Sequence, residues 1–343
     1  MNTLPVHTVA TDPGSTWIKD GDFAVDVPPD ADSEPAPEGP WPVDAPRGGF
    51  YGSVTPNIVE LDGGGYRLYY TQIRPWSGNP QGAIDYGNAT SCFLSATSTD
   101  CVSWTREAGV RLTAREGGAG DFRIVAPEVV PISDSSGRLR MYFECCPGSQ
   151  SVASTIRSAI SDDGLEWTAE PGDRLSGHGG SYNAPRVLYL DDGTCRLYCS
   201  DRVEGIVSAV SDDGGFTFEL EPGRRIVREL EYEAHTAYAP EVLLIDGGGY
   251  RMYYSGYSDS TRTQILTAVS DDGLTWHKEP EPVIAPGDRY DASKCSEMAV
   301  MQLPVVPGQG PRYCMLYEAC DGTATDKRGV WRILAARTAV TSS

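Results

Sequence analysis

Four short phrases place a polar side chain directly after a proline: TPN (55–57), APE (126–128), APR (184–186) and APE (239–241). A weaker copy, SEM (296–298), offers Glu297 at the corresponding place. If these phrases line one interior, Asn57, Glu128, Arg186, Glu241 and Glu297 meet at a single level. Carboxylates crowded together out of water cannot all ionise cheaply, so their pKa values are driven apart. General acid–base catalysis uses groups separated in this way. Glu128 and Glu241 are therefore the candidate catalytic pair, with Asn57, Arg186 and Glu297 as substrate contacts. The same set also reads as a buried ion network that holds the fold together. Three Glu could supply the oxygen ligands that a hard cation such as calcium takes. No EF-hand, HExxH or His/Cys zinc spacing is present, and no metal or other cofactor is assigned. A phosphate-cradling glycine motif and a GxSxG elbow are also missing.

The segments that lead into these phrases add Tyr51, Asp121, Arg123, His178, Tyr182, His235, Tyr238, Asp291 and Lys294. His235 lies in ELEYEAHTAYAPEV, close to Glu231 and Glu233. A histidine among carboxylates can shuttle protons near neutral pH, so His235 is a third catalytic candidate; an isolated surface histidine is the plainer reading. Tyr51, Arg123, Tyr182 and Tyr238 are candidate substrate contacts, suited to a sugar face or another flat polar molecule.

Each proline phrase opens a longer unit. TPNIVELDGGGYRLYYT (55–71), APEVVPISDSSGRLRMYFE (126–144), APRVLYLDDGTCRLYCS (184–200) and APEVLLIDGGGYRMYYS (239–255) each read as an apolar strand, a Gly/Asp hairpin turn and an alternating aromatic strand. A fifth, weaker copy is SEMAVMQLPVVPGQGPRYCMLYE (296–318). A second phrase follows in four of the units: STDCVSW (98–104), SDDGLEW (161–167), SDDGGFTF (211–218) and SDDGLTW (270–276). Asp and Gly supply turn conformations there, and the aromatic fills the space under the turn. Four strands per repeat make a propeller blade. The last unit lacks its turn phrase, and TDPGSTW (11–17) carries the missing spacing. The expected fold is an all-β, five-bladed β-propeller whose N-terminal strand completes the last blade and removes the open sheet edges.

The expected division of the single domain 1–343 is a closing strand at 11–26, a Pro-rich linker at 27–48, and blades at 49–110, 111–172, 173–222, 223–280 and 281–338. The linker VPPDADSEPAPEGPWPVDAPRG is proline-dense and extended. A lid over the channel mouth carrying Trp41 is the alternative reading of this segment.

The phrases xAPxV…YRxYYS and SxDGxxW resemble those of the five-bladed propeller glycosidases of the arabinanase, β-xylosidase and invertase-like clan, over nearly the whole chain. That resemblance implies three carboxylates on the inner strands of the first three blades. It places a base before the first proline, a pKa-tuning acid after the second and a proton donor two residues before the third. Here those positions hold Thr55, Glu128 and Asn183. One of the three keeps a carboxylate, so the resemblance implies the fold more firmly than the reaction.

The formal net charge of −20 opposes binding to nucleic acids and anionic membranes. No stretch approaches the roughly 20 apolar residues of a membrane span. The N-terminus has neither the basic start nor the apolar core of a secretory signal. Nine cysteines without a CxxC pair suit reduced thiols in a cytoplasmic protein. The expected activity is acid–base chemistry on a glycoside or similar small polar substrate. A non-hydrolytic propeller enzyme of cytoplasmic metabolism (cyclisation, elimination or isomerisation) and a non-catalytic binding propeller are the alternatives.

Overall fold

The computed structural model describes residues 7–30, 41, 44–76, 86–132, 137–323 and 329–339. Part of the 27–48 linker lies outside the described residues. The described chain is all-β, with two short 3-10 turns at Tyr86–Asn88 and Glu231–Glu233. No described helix is long and apolar enough to cross a membrane.

The strands form curled antiparallel meanders that follow one another along the chain. The N-terminal segment gives β1 (Thr8–Val9) and β2 (Trp17–Val25). The first meander is β3 (Gly52–Glu60), β4 (Tyr66–Pro75), β5 (Ala89–Ser98) and the two-residue β6 (Thr105–Arg106), with β7 (Leu112–Thr113) also on β5. The second is β8 (Arg123–Pro131), β9 (Leu139–Cys146), β10 (Thr155–Ser161) and β11 (Thr168–Ala169). The third is β12 (Tyr182–Tyr189), β13 (Cys195–Asp201), β14 (Gly205–Ser211) and β15 (Glu219–Leu220). The fourth is β16 (Thr236–Ile245), β17 (Tyr250–Asp259), β18 (Arg262–Ser270) and β19 (His277–Lys278). The last is β20 (Lys294–Gln302), β21 (Tyr313–Cys320) and β22 (Trp331–Thr338); β2 pairs antiparallel with β22, placing Trp17 opposite Thr338 and Val25 opposite Ile333.

The SDDG phrases are clamps between neighbouring meanders. Asp163 Oδ1 accepts the backbone N–H groups of Leu165 and Glu166 at 2.8 and 2.9 Å, which closes the turn. Those bonds favour the charged form and hold the Asp163 carboxyl below its ordinary value. Across the boundary, Tyr69 of β4 donates its hydroxyl to Gly164 O at 2.8 Å and meets Trp167 edge-on at 5.8 Å. Tyr142 with Gly215 and Phe218, and Tyr198 with Gly273 and Trp276, repeat this contact. The N-terminal TDPGSTW makes the same clamp, with Tyr253 on Gly14 O at 2.6 Å and Trp17 at 5.7 Å. Arg251 adds a fork onto Asp12.

Trp41 packs beneath the guanidinium of Arg106 at 3.9 Å, on the short outer strand β6. All nine cysteines are buried free thiols.

Candidate functional site

A repeated backbone kink positions the site. Thr55, Ala126, Ala184 and Ala239 each precede a proline and have positive φ values of 52°, 54°, 48° and 52°. Proline cannot donate to the ladder, and each inner strand shifts register here through a bulge. Left-handed backbone is unfavourable for residues with a Cβ, and its recurrence at four inner strands marks the kink as part of the design. It separates two tiers of side chains, one before and one after the prolines.

The lower tier, after the prolines, contains Asn57, Glu128, Arg186 and Glu241, all buried. Its polar atoms are closely paired. Asn57 Nδ2 donates to Glu128 Oε2 at 2.6 Å, and Val187 N donates to Glu128 Oε1 at 3.1 Å. Arg186 Nε donates to Glu241 Oε2 at 2.6 Å and lies 3.7 Å from Glu128 Oε2. The Arg186 guanidinium also caps the carbonyls of Pro185 and Met298 at 2.9 Å each. Val300 N closes the set on Glu241 Oε1 at 2.9 Å. Burial pushes the Glu241 carboxyl up, against the pull of Arg186 and His7.

His7 belongs to this tier, and reading the sequence missed it. Its Nε2 lies 2.7 Å from Glu128 Oε1, although the ring N–H is not aimed along the contact. Burial alone would disfavour the imidazolium, but Glu128 and Glu241 outweigh it and raise the His7 pKa. The chain reaches this point because β1 pairs parallel with the end of β16, with Thr8 opposite Leu244 and Val9 opposite Ile245. No local signal in MNTLPVHTV announces that placement.

The upper tier is nearer the starts of the inner strands. Ala126, Ala184 and Ala239 form a small apolar cluster there, with Tyr238 packed against it. The fifth member is Glu297, which corrects the sequence alignment. Ser296 pairs with Glu318 as Tyr238 pairs with Ser255, so Glu297 is the counterpart of Ala239 and not of Glu241. Its N–H donates to Ser255 Oγ at 3.0 Å, as Ala239 N donates to Ser200 Oγ at 2.7 Å. The fifth unit lacks the proline that would have fixed the alignment.

Glu297 is partly exposed, and its shielded Oε2 has no hydrogen-bond partner among the described residues. Burial, then the like charges of Glu318 and Glu144, drive its pKa well above the ordinary carboxyl value. Glu318 on β21 accepts Ser296 Oγ at 2.6 Å and Thr55 N at 3.2 Å. Burial pushes its carboxyl up to about 7, opposed by those two hydrogen bonds and by Lys294. Glu144 on β9 accepts three donors on Oε1: Asn183 Nδ2 at 2.6 Å, Cys146 Sγ at 2.9 Å and Ser154 Oγ at 3.1 Å. Aromatic rings complete the surroundings. Tyr238 and Tyr257 lie 5.3 Å apart, and Lys294 Nζ sits 5.0 Å from the Tyr257 ring and 5.7 Å from that of Trp331.

The remaining candidates disperse. The His235 side chain is exposed; only its backbone is fixed, through its N–H on Tyr257 O and its carbonyl on Arg228. Nearby Glu233 is committed to Tyr254, Lys278 and two backbone N–H groups. Arg123 is fully buried, bonded to Ala89 O and Gly148 O and stacked on Tyr86 at 4.2 Å. Tyr182 is buried within the third meander. Tyr51 lines a cleft of about 1030 Å³ together with Phe50, Trp76 and Arg74. Among the described residues, no group of three or more His, Cys, Asp or Glu side chains is arranged to hold a metal ion.

No protein-family model matches the chain, and no curated protein matches it. Solved structures do. A glycoside hydrolase superposes with a TM-score of 0.67 at 14% identity, over 95% of this chain and 93% of that chain. A thermostable family-43 glycoside hydrolase gives 0.60 at 20% identity, over 84% of this chain and 90% of that chain. An exo-1,5-α-L-arabinanase from a bovine ruminal metagenomic library gives 0.55 at 18% identity, over 84% of this chain and 93% of that chain. At these identities the likeness is one of fold: the chain has the β-propeller architecture of the arabinanase and xylosidase glycoside hydrolases.

Proposed function

We propose that this protein is a propeller enzyme that performs general acid–base chemistry on a glycoside or similar small polar substrate at the upper tier of its channel. The ring on which this rests has five blades with the boundaries given above, and β2 completes the last of them. The observation that carries the reading is Glu297, a carboxyl group with a shielded, unpartnered oxygen crowded by two further carboxylates. Such a group costs stability unless something else uses it. In the lower tier, Glu128 and Glu241 are saturated by protein donors and closed in by His7, so we assign them to holding the channel floor. His235 is assigned no chemical role. Nine buried thiols suit a reducing compartment such as the cytoplasm.

The test is a panel of aryl glycosides, pentofuranosides and pyranosides included, run with the intact protein and with Glu297→Gln and Glu128→Gln. Glu297→Gln should lower turnover with its fold intact, because it removes one carboxyl from the crowded upper tier. Turnover lost in Glu128→Gln and kept in Glu297→Gln would return the chemistry to the lower tier. A non-hydrolytic reaction at the same tier is the second reading. It is favoured by Thr55 and Asn183, which stand where the glycosidase clan keeps a base and an acid.

A further inference from the structure

The five second strands provide an internal control. At the register position beside each inner-strand kink they carry Thr71 opposite Val54, Glu144 opposite Val125, Ser200 opposite Asn183, Ser255 opposite Tyr238 and Glu318 opposite Ser296. The structural duty of this position is visible in the hydroxyl-bearing copies. Ser200 accepts Ala239 N, and Ser255 accepts Glu297 N. Thr71 shares a 2.6 Å hydrogen bond with Thr55 Oγ1, which in turn accepts Ala126 N. A hydroxyl is thus enough to satisfy the bulge of the next blade. At two positions the chain uses a longer, charged side chain and buries it, although burying a charge is costly. Glu318 still performs the bulge duty by accepting Thr55 N, whereas Glu144 accepts the Asn183 side chain instead.

We propose that Glu318 and Glu144, delivered from second strands, are the reacting pair of this channel. The proposal rests on the upper-tier reading above and adds which groups move protons. Glu318 gives its proton to the departing oxygen as the bond from carbon to that oxygen breaks. Glu144, held on Oε1 by three donors, takes a proton from the attacking water as the new carbon–oxygen bond forms. Solvent exchange restores both groups. Glu297 is a positioning residue beside the pair: its carboxyl lies close enough to Glu318 and Glu144 to feel both. Thr55 and Asn183, where the inner strands lack carboxylates, then serve as hydrogen-bonding partners of the acids that replace them.

The decisive variants are Glu318→Ser and Glu144→Ser, which install the hydroxyl that this position carries in two other blades. Both should fold and melt at or above the temperature of the unaltered protein at pH 8. Both should lose turnover of whichever aryl glycoside the panel reveals, by roughly 10²-fold or more. Glu318→Ser should slow substrates with poor leaving groups more than those with good ones, because only the former need a proton. A purely structural carboxylate would not produce that dependence. Marked destabilisation of both Ser variants would overturn the proposal by showing that the fold itself needs the charge. Full turnover in both would overturn it equally. If no glycoside is turned over by the intact protein while both variants are stabilised, the glycoside reading fails and the two acids still stand as functional rather than structural groups.

Discussion

The tiers before and after the proline kinks contain the same kinds of residue in different condition. Below, Glu128, Glu241, Arg186 and Asn57 form a compensated set beside His7, each carboxylate bonded to a side-chain partner and to a backbone N–H of a neighbouring meander. Above, Glu144, Glu297 and Glu318 are three acids, and Glu297 keeps an oxygen without a partner. Compensated buried charge reads as architecture, because each carboxylate ties together strands far apart in sequence. A buried acid with an unpartnered oxygen is retained against the cost of burial, and perturbed acids of this kind cluster where groups change protonation during a reaction. Identical residue types therefore point to different roles, and the neighbours decide which.

Four experiments can break or sharpen that contrast. The largest effect should come from deleting residues 1–20, which removes β1, the Gly14–Trp17 clamp, the beginning of β2 and His7. The melting temperature should fall by roughly 10 °C or more, and a truncated protein that melts like the full one would refute the closing strand. Next, Arg186→Met leaves Glu128 and Glu241 buried without their cation. Denaturant unfolding should show a loss of about 3–5 kcal/mol, and an unchanged midpoint would show that the lower tier does not hold the floor.

Third is a pH experiment on the upper tier. The folded Glu318 carboxyl titrates near 7, above its ordinary value, so the folded state holds this proton more tightly than the unfolded chain. Its contribution is therefore favourable at acid pH and declines as pH rises from about 4.5 through 7, by roughly 3 kcal/mol in all. Glu318→Gln should flatten the stability profile in that window, and an unaltered slope would assign the dependence to other groups. The smallest effect concerns His7. Its pKa is raised in the folded protein, so its stabilisation is fully present below about 6.5 and is lost as pH rises through the higher folded value. His7→Gln should cost about 1 kcal/mol at pH 6 and nothing well above neutrality. Equal losses at both pH values would mean that the imidazolium–Glu128 pair contributes nothing of its own.

Much of the architecture was legible because it is repeated. The phrase SDDGLEW returns as SDDGLTW, and both do the same work, with Asp closing the turn and Trp lying under a tyrosine of the neighbouring meander. TDPGSTW keeps the Asp, Gly and Trp spacing: Asp12 accepts Gly14 N within the turn, and Gly14 O and Trp17 meet Tyr253 of the neighbouring meander. The proline phrases also correctly brought Asn57, Glu128, Arg186 and Glu241 together, since a proline kink on an inner strand dictates which way the next side chain faces.

Legibility ended where the pattern loses its marker or where the answer depends on a neighbouring blade. Without a proline in SEMAV, Glu297 was assigned one tier too low, and only the pairing of Ser296 with Glu318 corrects it. Glu144 and Glu318 end otherwise ordinary strand phrases, MYFE and MLYE, and nothing local distinguishes them from the Ser of YYS. His7 stands in a stretch with no repeat at all. The amino-acid sequence by itself determined periodic turns, strands and kinks, because those follow from backbone preferences acting over a few residues. Only the tertiary structure decided which carboxylates are compensated, because partners such as Asn183 for Glu144 and Thr55 for Glu318 arrive from strands 39 and 263 residues away, and burial is a property of the whole fold.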